Sequence, residues 1–290
     1  MLRKILKWTL LTVGSLATLL LIFYTVVYFK TESRINKVYQ VKLQTLSIPS
    51  DSLSYVRGKH IAENRGCLGC HGNNLAGGRF FLDQQSPLGL LQSSNLTNGK
   101  GGIGYSDADW IRALRHGLNK ENKSVWFMPS HDVAHLSNQE MGELISYLRQ
   151  QPPVDNQIAA HTIKPLGRLL TFFDKFPLLP AEMIDHNAVY ADKVEYAVSP
   201  AYGAYLATSC RSCHGPNMKG APAHGPSEPP IPDISSTGNA GKWKEADFIN
   251  ALRTGKTPEG KQLTDAMPYK YFTYTDDELK AIYLHLKEVQ

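Results

Sequence analysis

Two stretches of the same form decide the fold, Cys67-Leu68-Gly69-Cys70-His71 and Cys210-Arg211-Ser212-Cys213-His214. Together they contain all four cysteines of the 290-residue chain. In each stretch two thiols lie one helical turn apart and a histidine follows at once. This Cys-x-x-Cys-His pattern is the attachment site of c-type haem, in which the thiols bind the two vinyl groups and the histidine binds the iron. The sequence therefore predicts two covalently bound haem c groups, held by Cys67, Cys70, Cys210 and Cys213, with His71 and His214 as iron ligands.

Other uses of paired cysteines fit less well. A zinc ribbon needs its cysteine pairs about 15–20 residues apart, whereas Cys70 and Cys210 are 140 residues apart. A thioredoxin-like redox motif needs a βαβ context, which the sequence does not indicate. A disulfide within each motif would not explain why a histidine follows both pairs. Four cysteines are also too few for a disulfide-dense scaffold.

Outward from the two motifs, the sequence repeats itself. Four features recur in one order, which indicates two copies of one domain, at 50–150 and 196–290. The matches are the two motifs at an offset of 143, Met128-Pro129 with Met267-Pro268 at 139, and Asn95-Leu96-Thr97 with Asp233-Ile234-Ser235 and Asp109–Gly117 with Asp247–Gly255 at 138.

Each copy predicts a small domain of helices and long loops. Ser106, Ser137 and Thr275 each begin a capping pattern that is followed by apolar residues at helical spacing. Further helices are expected to end near Asn64 and Thr208, just before the motifs, and strand-like alternation is scarce. We therefore predict an all-α fold. Because a helical domain of about 100 residues has a thin core, the apolar macrocycle would complete it.

A sixth iron ligand is expected in the loop between the two capped helices of each copy. Met128 lies 57 residues after His71, and Met267 lies 53 residues after His214. Each precedes a proline, which favours extended backbone and would turn the thioether sideways. The matched positions predict Met128 and Met267 as axial ligands rather than core residues.

Several other side chains compete for this role. The rivals are His116, His131 and His135 in the first copy, and Met218 and His224 in the second. Met218 follows His214 by only four residues and would struggle to reach the opposite haem face. His116 is matched by Thr254 in the second copy, so the repeat does not support it.

Five residues are candidates for secondary haem contacts. Arg115 and Arg253 occupy matched positions and could pair with a propionate, the alternative being a solvated charge at a helix end. Asn95 is a candidate for the first propionates. Pro87 and Pro232 could each present a carbonyl to the Nδ1–H of the proximal histidine.

The amino terminus differs in composition from the rest. Residues 1–49 carry seven Lys or Arg against one Glu, and the chain as a whole has a net charge of +5. The uncharged stretch from Trp8 to Phe29 would span about 33 Å as a helix, enough for a bilayer. A cleaved signal peptide would have a shorter apolar stretch and a small-residue cleavage site. We predict one membrane anchor with a basic spacer over 1–49, and no nucleic-acid binding, because the domains carry no basic excess.

The segment 151–195 belongs to neither copy. It contains five prolines and apolar clusters such as Leu169-Leu170 and Phe172-Phe173. A solvated linker would be more polar. We expect this connection to pack across both domains.

With these residues in view, the chain resembles the class I cytochrome c superfamily. More narrowly, it is similar to the membrane-bound multihaem cytochrome c subunits of periplasmic alcohol, aldehyde and gluconate dehydrogenases. The resemblance covers residues 54–290 and rests on the motif Cys67–Gly72, Gly77-Gly78-Arg79, Ser94–Thr97, Gly102–Gly104, Ala113–Gly117 and Met128-Pro129. It implies two tandem cytochrome c domains after a transmembrane helix. Those subunits typically carry three haem motifs, whereas this chain has two.

These features predict a dihaem relay of single electrons with no independent catalysis. The expected partners are membrane lipid and redox proteins such as a dehydrogenase or a terminal oxidase. Haem c is attached outside the cytoplasm, so we expect a bacterial inner-membrane protein with its amino terminus inside and its domains in the periplasm. A dihaem peroxidase or thiosulfate-type dehydrogenase would need an open iron position or a cysteine ligand. A haem gas sensor would need a displaceable ligand and an output domain.

Overall fold

A computed structural model describes residues 1–223, 229–264 and 266–290. Within these ranges the chain forms mainly helices, which confirms the all-α prediction. The helices are α1 (Leu2–Ile35), α2 (Ser52–Asn64), α3 (Cys67–His71), α4 (Asp107–His116), α5 (Ser130–Val133), α6 (Asn138–Arg149), α7 (Pro165–Phe172), α8 (Pro200–Leu206), α9 (Arg211–His214), α10 (Asn239–Lys242), α11 (Glu245–Thr254) and α12 (Asp276–Glu288). Three 3₁₀ turns cover Pro180–Met183, Ala207–Cys210 and Tyr269–Tyr271.

A small antiparallel sheet was not expected from the sequence. It contains β1 (Phe80–Leu82), β2 (Gly89–Gln92) and β3 (Thr162–Ile163), in that order. The third strand comes from the connection between the domains, and Leu90 pairs with Thr162. The sheet therefore fastens the connection to the first domain.

Each domain is built on one close pair of helices. In the first domain α2 crosses α6, where a Cβ on Gly58 would lie 2.0 Å from the Glu143 carbonyl oxygen. In the second domain α8 crosses α12, where a Cβ on Gly203 would lie 1.9 Å from the Ala281 carbonyl oxygen. Glycine is required at both crossings because any side chain would force the helices apart. The two copies thus share the packing of one helix pair as well as their sequence pattern.

The predicted helix boundaries are largely confirmed. Ser106 and Thr275 form capping boxes at the starts of α4 and α12, and the Ser137 hydroxyl accepts the Glu140 N–H at the start of α6. Gly117 ends α4 in the left-handed region, with φ of 64°. Before the second motif, the α-helix ends at Leu206 rather than near Thr208, and a 3₁₀ turn continues to Cys210.

The first helix extends beyond the apolar stretch. By length and composition α1 can cross a membrane, with a mean hydropathy of 2.2, a property that a signal sequence shares. Its last turns dock on the connection between the domains. Arg34 pairs with Asp174 at 2.7 Å and with Glu182 at 2.5 Å.

The segment after α1 is not the free spacer that we expected. The Tyr39 N–H donates to the Asn122 carbonyl at 2.9 Å, and the Tyr39 side chain is buried. Leu43, Leu46 and Ile48 pack against the core of the first domain. Residues 36–49 are therefore part of that domain's packing, because their apolar side chains find a partner there.

The connection between the domains contacts both of them, as expected, but mostly the first. Asn138 N–H donates to the Ala191 carbonyl at 2.8 Å, and Leu178 is fully buried beside β2. Val194 reaches the core of the second domain. The connection is therefore a structural layer on the first domain rather than a bridge shared equally.

Candidate haem sites

The two predicted motifs form short helical segments that each end at a glycine. Gly66 precedes α3 with φ of 77°, and Gly72 follows it with φ of 80°. Gly215 follows α9 with φ of 78°. Helical geometry brings residues three apart onto one face, so both thiols of each motif lie on the same side. The motif histidine ends the helix in each domain.

Each motif histidine is held through Nδ1. His71 Nδ1–H donates to the Ser94 carbonyl at 2.8 Å, and His214 Nδ1–H donates to the Pro232 carbonyl at 2.9 Å. Because a carbonyl only accepts, each proton is on Nδ1 and Nε2 carries a free lone pair. Burial lowers the pKa of both imidazoles, which keeps them neutral as iron ligation requires. These residues therefore fit a haem iron on the Nε2 side.

The acceptor in the first domain corrects one prediction. We expected Pro87, but Ser94 supplies the carbonyl. Ser94 and Pro232 are related by the offset of 138 that also relates Asn95 to Asp233. The offset between the two copies would therefore have identified Ser94 as the match of Pro232. The search for a second proline led to Pro87 instead.

The thiols have the chemistry of attachment sites rather than of redox centres. Burial raises the pKa of Cys67 to about 12 and that of Cys210 to about 11. Reactive thiols have lowered pKa values, set by nearby positive charge or a helix amino terminus. No disulfide joins these cysteines in the described part of the chain. The structure therefore gives no support to a thioredoxin-like role.

Met218 is a core residue. Its side chain is 1% exposed and its backbone has φ of 56°. Leu75 takes the matched place in the first domain, with 0% exposure and φ of 55°. Since leucine cannot bind iron, this position fills the core behind each motif. Met218 is thereby removed as a rival ligand.

Met128 and Met267 lie in the loops where ligands were expected. Met128 is half-buried against the first core, between Phe127, whose N–H donates to the Leu178 carbonyl, and Pro129. Met267 is half-buried before the 3₁₀ turn that starts at Tyr269. The loop of each domain thus presents one thioether. Ligation by these residues stays a prediction.

The histidine rivals differ in their surroundings. His116 Nδ1 lies 3.2 Å from Nδ1 of His186. His131 lies beside Asp132. Both ring nitrogens of His135 are buried and have no hydrogen-bond partner in the described residues, and burial lowers its pKa to about 3. His135 is therefore the strongest remaining rival of Met128, and His224 lies outside the described residues.

Arg115 and Arg253 hydrogen-bond to matched groups of the protein, and their contact with a propionate stays a prediction. Arg115 is 1% exposed and donates to the Leu136 carbonyl at 2.5 Å and to Asn138 Oδ1 at 3.0 Å. Arg253 donates to the Tyr274 carbonyl at 2.5 Å and to Asp276 Oδ1 at 2.9 Å. The acceptors are related by the offset of 138. Each arginine thus fixes the chain that enters the last helix of its domain.

Asn95 also serves the backbone. Its Oδ1 accepts the Thr97 N–H at 3.0 Å, and its Nδ2 donates to the Val154 carbonyl at 2.8 Å. Asp233 accepts the Ser235 N–H at 2.7 Å in the same kind of turn. The expected propionate contact of Asn95 has no support, because both of its polar atoms are engaged.

The two motifs face the opposite domain. Ser212, inside the second motif, donates to Asp132 Oδ2 at 2.5 Å. A Cβ on Gly69, inside the first motif, would lie 3.6 Å from Tyr271 Cδ2. Gly69 matches Ser212, and Asp132 matches Tyr271. Matched positions of the two domains therefore lie close together on both sides of the interface, although the contacts themselves differ in chemistry.

Both copies match one family over most of their length, at residues 55–152 and 200–290. The chain belongs to the cytochrome c family. Two domains of this family, each with one motif, agree with two covalently bound haem c groups. When bound, each haem supplies one-electron redox chemistry, and the surrounding protein tunes its potential.

Similar proteins include cytochrome subunits of dehydrogenases. The chain is 27% identical, over 83% of its length, to the cytochrome c subunit of the alcohol dehydrogenase (quinone) of Gluconobacter oxydans. It is 27% identical, over 80% of its length, to the gluconate 2-dehydrogenase cytochrome c subunit of Pantoea cypripedii. It covers only 55% and 59% of those two proteins. A diheme cytochrome c-type protein of Cereibacter sphaeroides is 25% identical and is covered over 85% of its length.

Proposed function

We propose that this cytochrome relays single electrons between an extracytoplasmic dehydrogenase and a respiratory acceptor. The observation that carries the proposal is that each haem motif lies at the domain interface, where Ser212 contacts Asp132 and Gly69 lies against Tyr271 of the opposite domain. Motifs placed on both sides of one interface would hold their haems close to that interface. An electron entering at one haem then has a short path to the other.

The partner is proposed from the relatives. Three of them are named as cytochrome subunits of alcohol, gluconate and fructose dehydrogenases. This chain spans just over half the length of the first two and carries two haem motifs. In the proposed relay the donor is a dehydrogenase and the acceptor is a membrane quinone pool or a terminal oxidase.

The anchor is proposed from α1. Its apolar stretch is long enough for a bilayer, and the helix continues without interruption into the contacts of Arg34 with the folded domains. A cleaved signal sequence would lose this continuity. Since haem c is attached outside the cytoplasm, the amino terminus lies inside and both domains lie outside, on a single-pass inner-membrane protein.

The test measures the dehydrogenase activity and the electron relay to oxygen separately. Membranes of the native host are prepared with and without this chain, and alcohols, gluconate and fructose are supplied as donors. Without the chain, substrate-driven oxygen uptake should fall while dye-linked dehydrogenase activity persists. Restoring the wild-type chain should recover uptake. A His71→Ala variant should not recover it, whereas the matched control His161→Ala should. Equal oxygen uptake with and without the chain would overturn the proposal.

A further inference from the structure

The short helix α7 has three distinct faces. Gly167 and Thr171 point into the first domain, where a Cβ on Gly167 would lie 2.2 Å from the Leu88 carbonyl oxygen and Thr171 is 1% exposed. Arg168 and Phe172 face α1. The third face is wholly apolar and points away from the domains, and it consists of Leu166, Leu169, Leu170 and Phe173, here called the α7 patch.

The two ends of the α7 patch are exposed within the described chain, although Phe23 of α1 contacts one side of the Phe173 ring. Leu166 is 42% exposed and Phe173 is 53% exposed, and Leu169 and Leu170 are half-buried. Four adjacent apolar side chains on one outward face are unusual for a helix bathed only in water. Something outside the described chain must therefore cover the α7 patch, and the contact between α7 and α1 indicates what it is.

The contact with α1 sets the position of the patch along the apolar helix. Phe23 of α1 packs against Phe172 and Phe173, with ring centroids 6.4 Å and 6.5 Å apart. Phe23 precedes Phe29, the last residue of the uncharged stretch, by six residues, which is about 9 Å along a helix. Interfacial helices bury their apolar face about 5–10 Å into the boundary of headgroups and acyl chains. The patch is thus at the depth where a bilayer would cover it.

Polar contacts hold α7 at this depth and orientation. Arg168 pairs with Glu32 at 2.8 Å, and its guanidinium lies 4.4 Å from the ring centroid of Tyr28. Beyond them, Arg34 bonds the Thr171 carbonyl at 2.8 Å. Lys30, directly after Phe29, and Lys175, two residues after Phe173, are both exposed and could contact anionic headgroups. Apolar residues on the bilayer side and charges above them follow the order of a membrane interface.

We propose that α7 is an interfacial helix whose α7 patch inserts into the lipid bilayer beside α1. This inference rests on the proposed anchoring by α1. Two contacts with the bilayer, a crossing helix and a lying one, fix both the height and the tilt of the haem domains above the membrane. The lipid surface is therefore part of what orients the relay towards its partners.

The test uses introduced cysteines as probes of water. The four native cysteines carry haem, so a new cysteine in the full-length holoprotein is the one thiol that can react. Leu166→Cys and Phe173→Cys probe the patch, Leu16→Cys probes the middle of α1, and Val189→Cys, at a residue that is 93% exposed, is the control for water. Each variant is placed in vesicles of phosphatidylcholine and phosphatidylglycerol and treated with a charged maleimide, and the adduct is followed by intact mass.

The proposal expects the thiols at 166 and 173 to react several-fold more slowly than the thiol at 189, and a photoactivatable lipid to form adducts on the patch. If the thiol at 16 is protected but those at 166 and 173 react like that at 189, α7 does not enter the bilayer and the anchor stands. If the thiol at 16 reacts freely as well, the anchoring itself is wrong. Protection without lipid adducts means that a second copy covers the patch, which also overturns the proposal.

Discussion

Arg65 donates to the Ser209 hydroxyl at 2.8 Å, and this bond joins the two haem motifs across the domain interface. Arg65 lies two residues before Cys67, and Ser209 lies directly before Cys210. The same guanidinium also donates to the Leu206 carbonyl at 3.2 Å. One side chain thus fixes the approach to both attachment sites, so the two motifs cannot shift independently of each other.

Haem attachment gives the first prediction. The double variant Cys67→Ser with Cys70→Ser should lose one haem and keep the other, and Cys210→Ser with Cys213→Ser should do the converse, because each pair of thiols binds one macrocycle. Intact mass under denaturing conditions, with co-expressed maturation proteins, should show one haem fewer in each variant. Recovery of the wild-type protein at the mass of the polypeptide alone would show that the motifs carry no haem.

Axial ligation gives the second prediction. Met128→Ala and Met267→Ala should each remove part of the near-infrared sulfur-to-iron band and open one iron to carbon monoxide. The reason is that no other thioether lies in the corresponding loop. His135→Ala is the matched variant for the first domain, because His135 is buried without a hydrogen-bond partner in the described residues. A spectrum changed by His135→Ala and unchanged by Met128→Ala would assign the first ligand to histidine.

The paired arginines give the third prediction. Arg115→Met should lower the free energy of unfolding by about 3 kcal/mol, because it leaves the buried carbonyls of Ala134 and Leu136 without a donor. Arg253→Met should cost about 1 kcal/mol, since that side chain is 38% exposed and water can replace it. Chemical denaturation of the holoproteins measures both. Equal losses would contradict the assigned difference in burial.

Most of the fold could be predicted because it is repeated. The motifs, the caps at Ser137 and Thr275 and the glycines that end α4 and α11 act locally and occur in both copies, so the second occurrence argues against coincidence. The offset of 138 between the copies would also have identified Ser94, rather than Pro87, as the residue whose carbonyl accepts from His71.

The features that sequence reasoning missed depend on contacts between distant segments. Residues 36–49 were expected to be a spacer because they are basic and follow the anchor, but Leu43 and Ile48 pack into the first domain. The sequence suggested a propionate contact for Arg115 but did not indicate its hydrogen bond to the Leu136 carbonyl. Neither outcome follows from local sequence, because the partners lie elsewhere in the chain.

A buried carboxyl at the domain interface gives the fourth prediction. Glu140 of the first domain accepts a hydrogen bond from the Tyr205 hydroxyl of the second, and its side chain is buried. Burial raises the pKa of Glu140 from 4.5 to about 7, against the opposing influence of Arg65. The folded protein therefore binds this proton more tightly than the unfolded chain does. Its contribution to stability is greatest at low pH and falls between pH 4.5 and 7.

Glu140→Gln should remove this part of the pH dependence. Relative to the wild type, the variant should gain stability on going from pH 5 to pH 8, by at most about 3 kcal/mol. Denaturation midpoints across that range provide the measurement, with Glu121→Gln, at an exposed site, as the matched control. A parallel pH profile for Glu140→Gln and the wild type would show that the carboxyl is already ionised at low pH.

Truncation of the amino terminus gives the last prediction. A chain that starts at Asn36, exported with a cleavable signal, keeps Tyr39 and the apolar residues that pack on the first domain. A chain that starts at Ser50 loses them and should be less stable by about 3 kcal/mol. This value is the free energy of burying three half-buried aliphatic side chains and one buried tyrosine, with a discount for their remaining exposure to solvent. Both should retain two haems, because the attachment residues lie after position 66. Thermal and chemical denaturation of the two truncated proteins, compared at equal haem content, measures the difference. If both are equally stable, residues 36–49 contribute nothing to the fold, and only the docking of α1 would distinguish the full-length protein from its soluble domains.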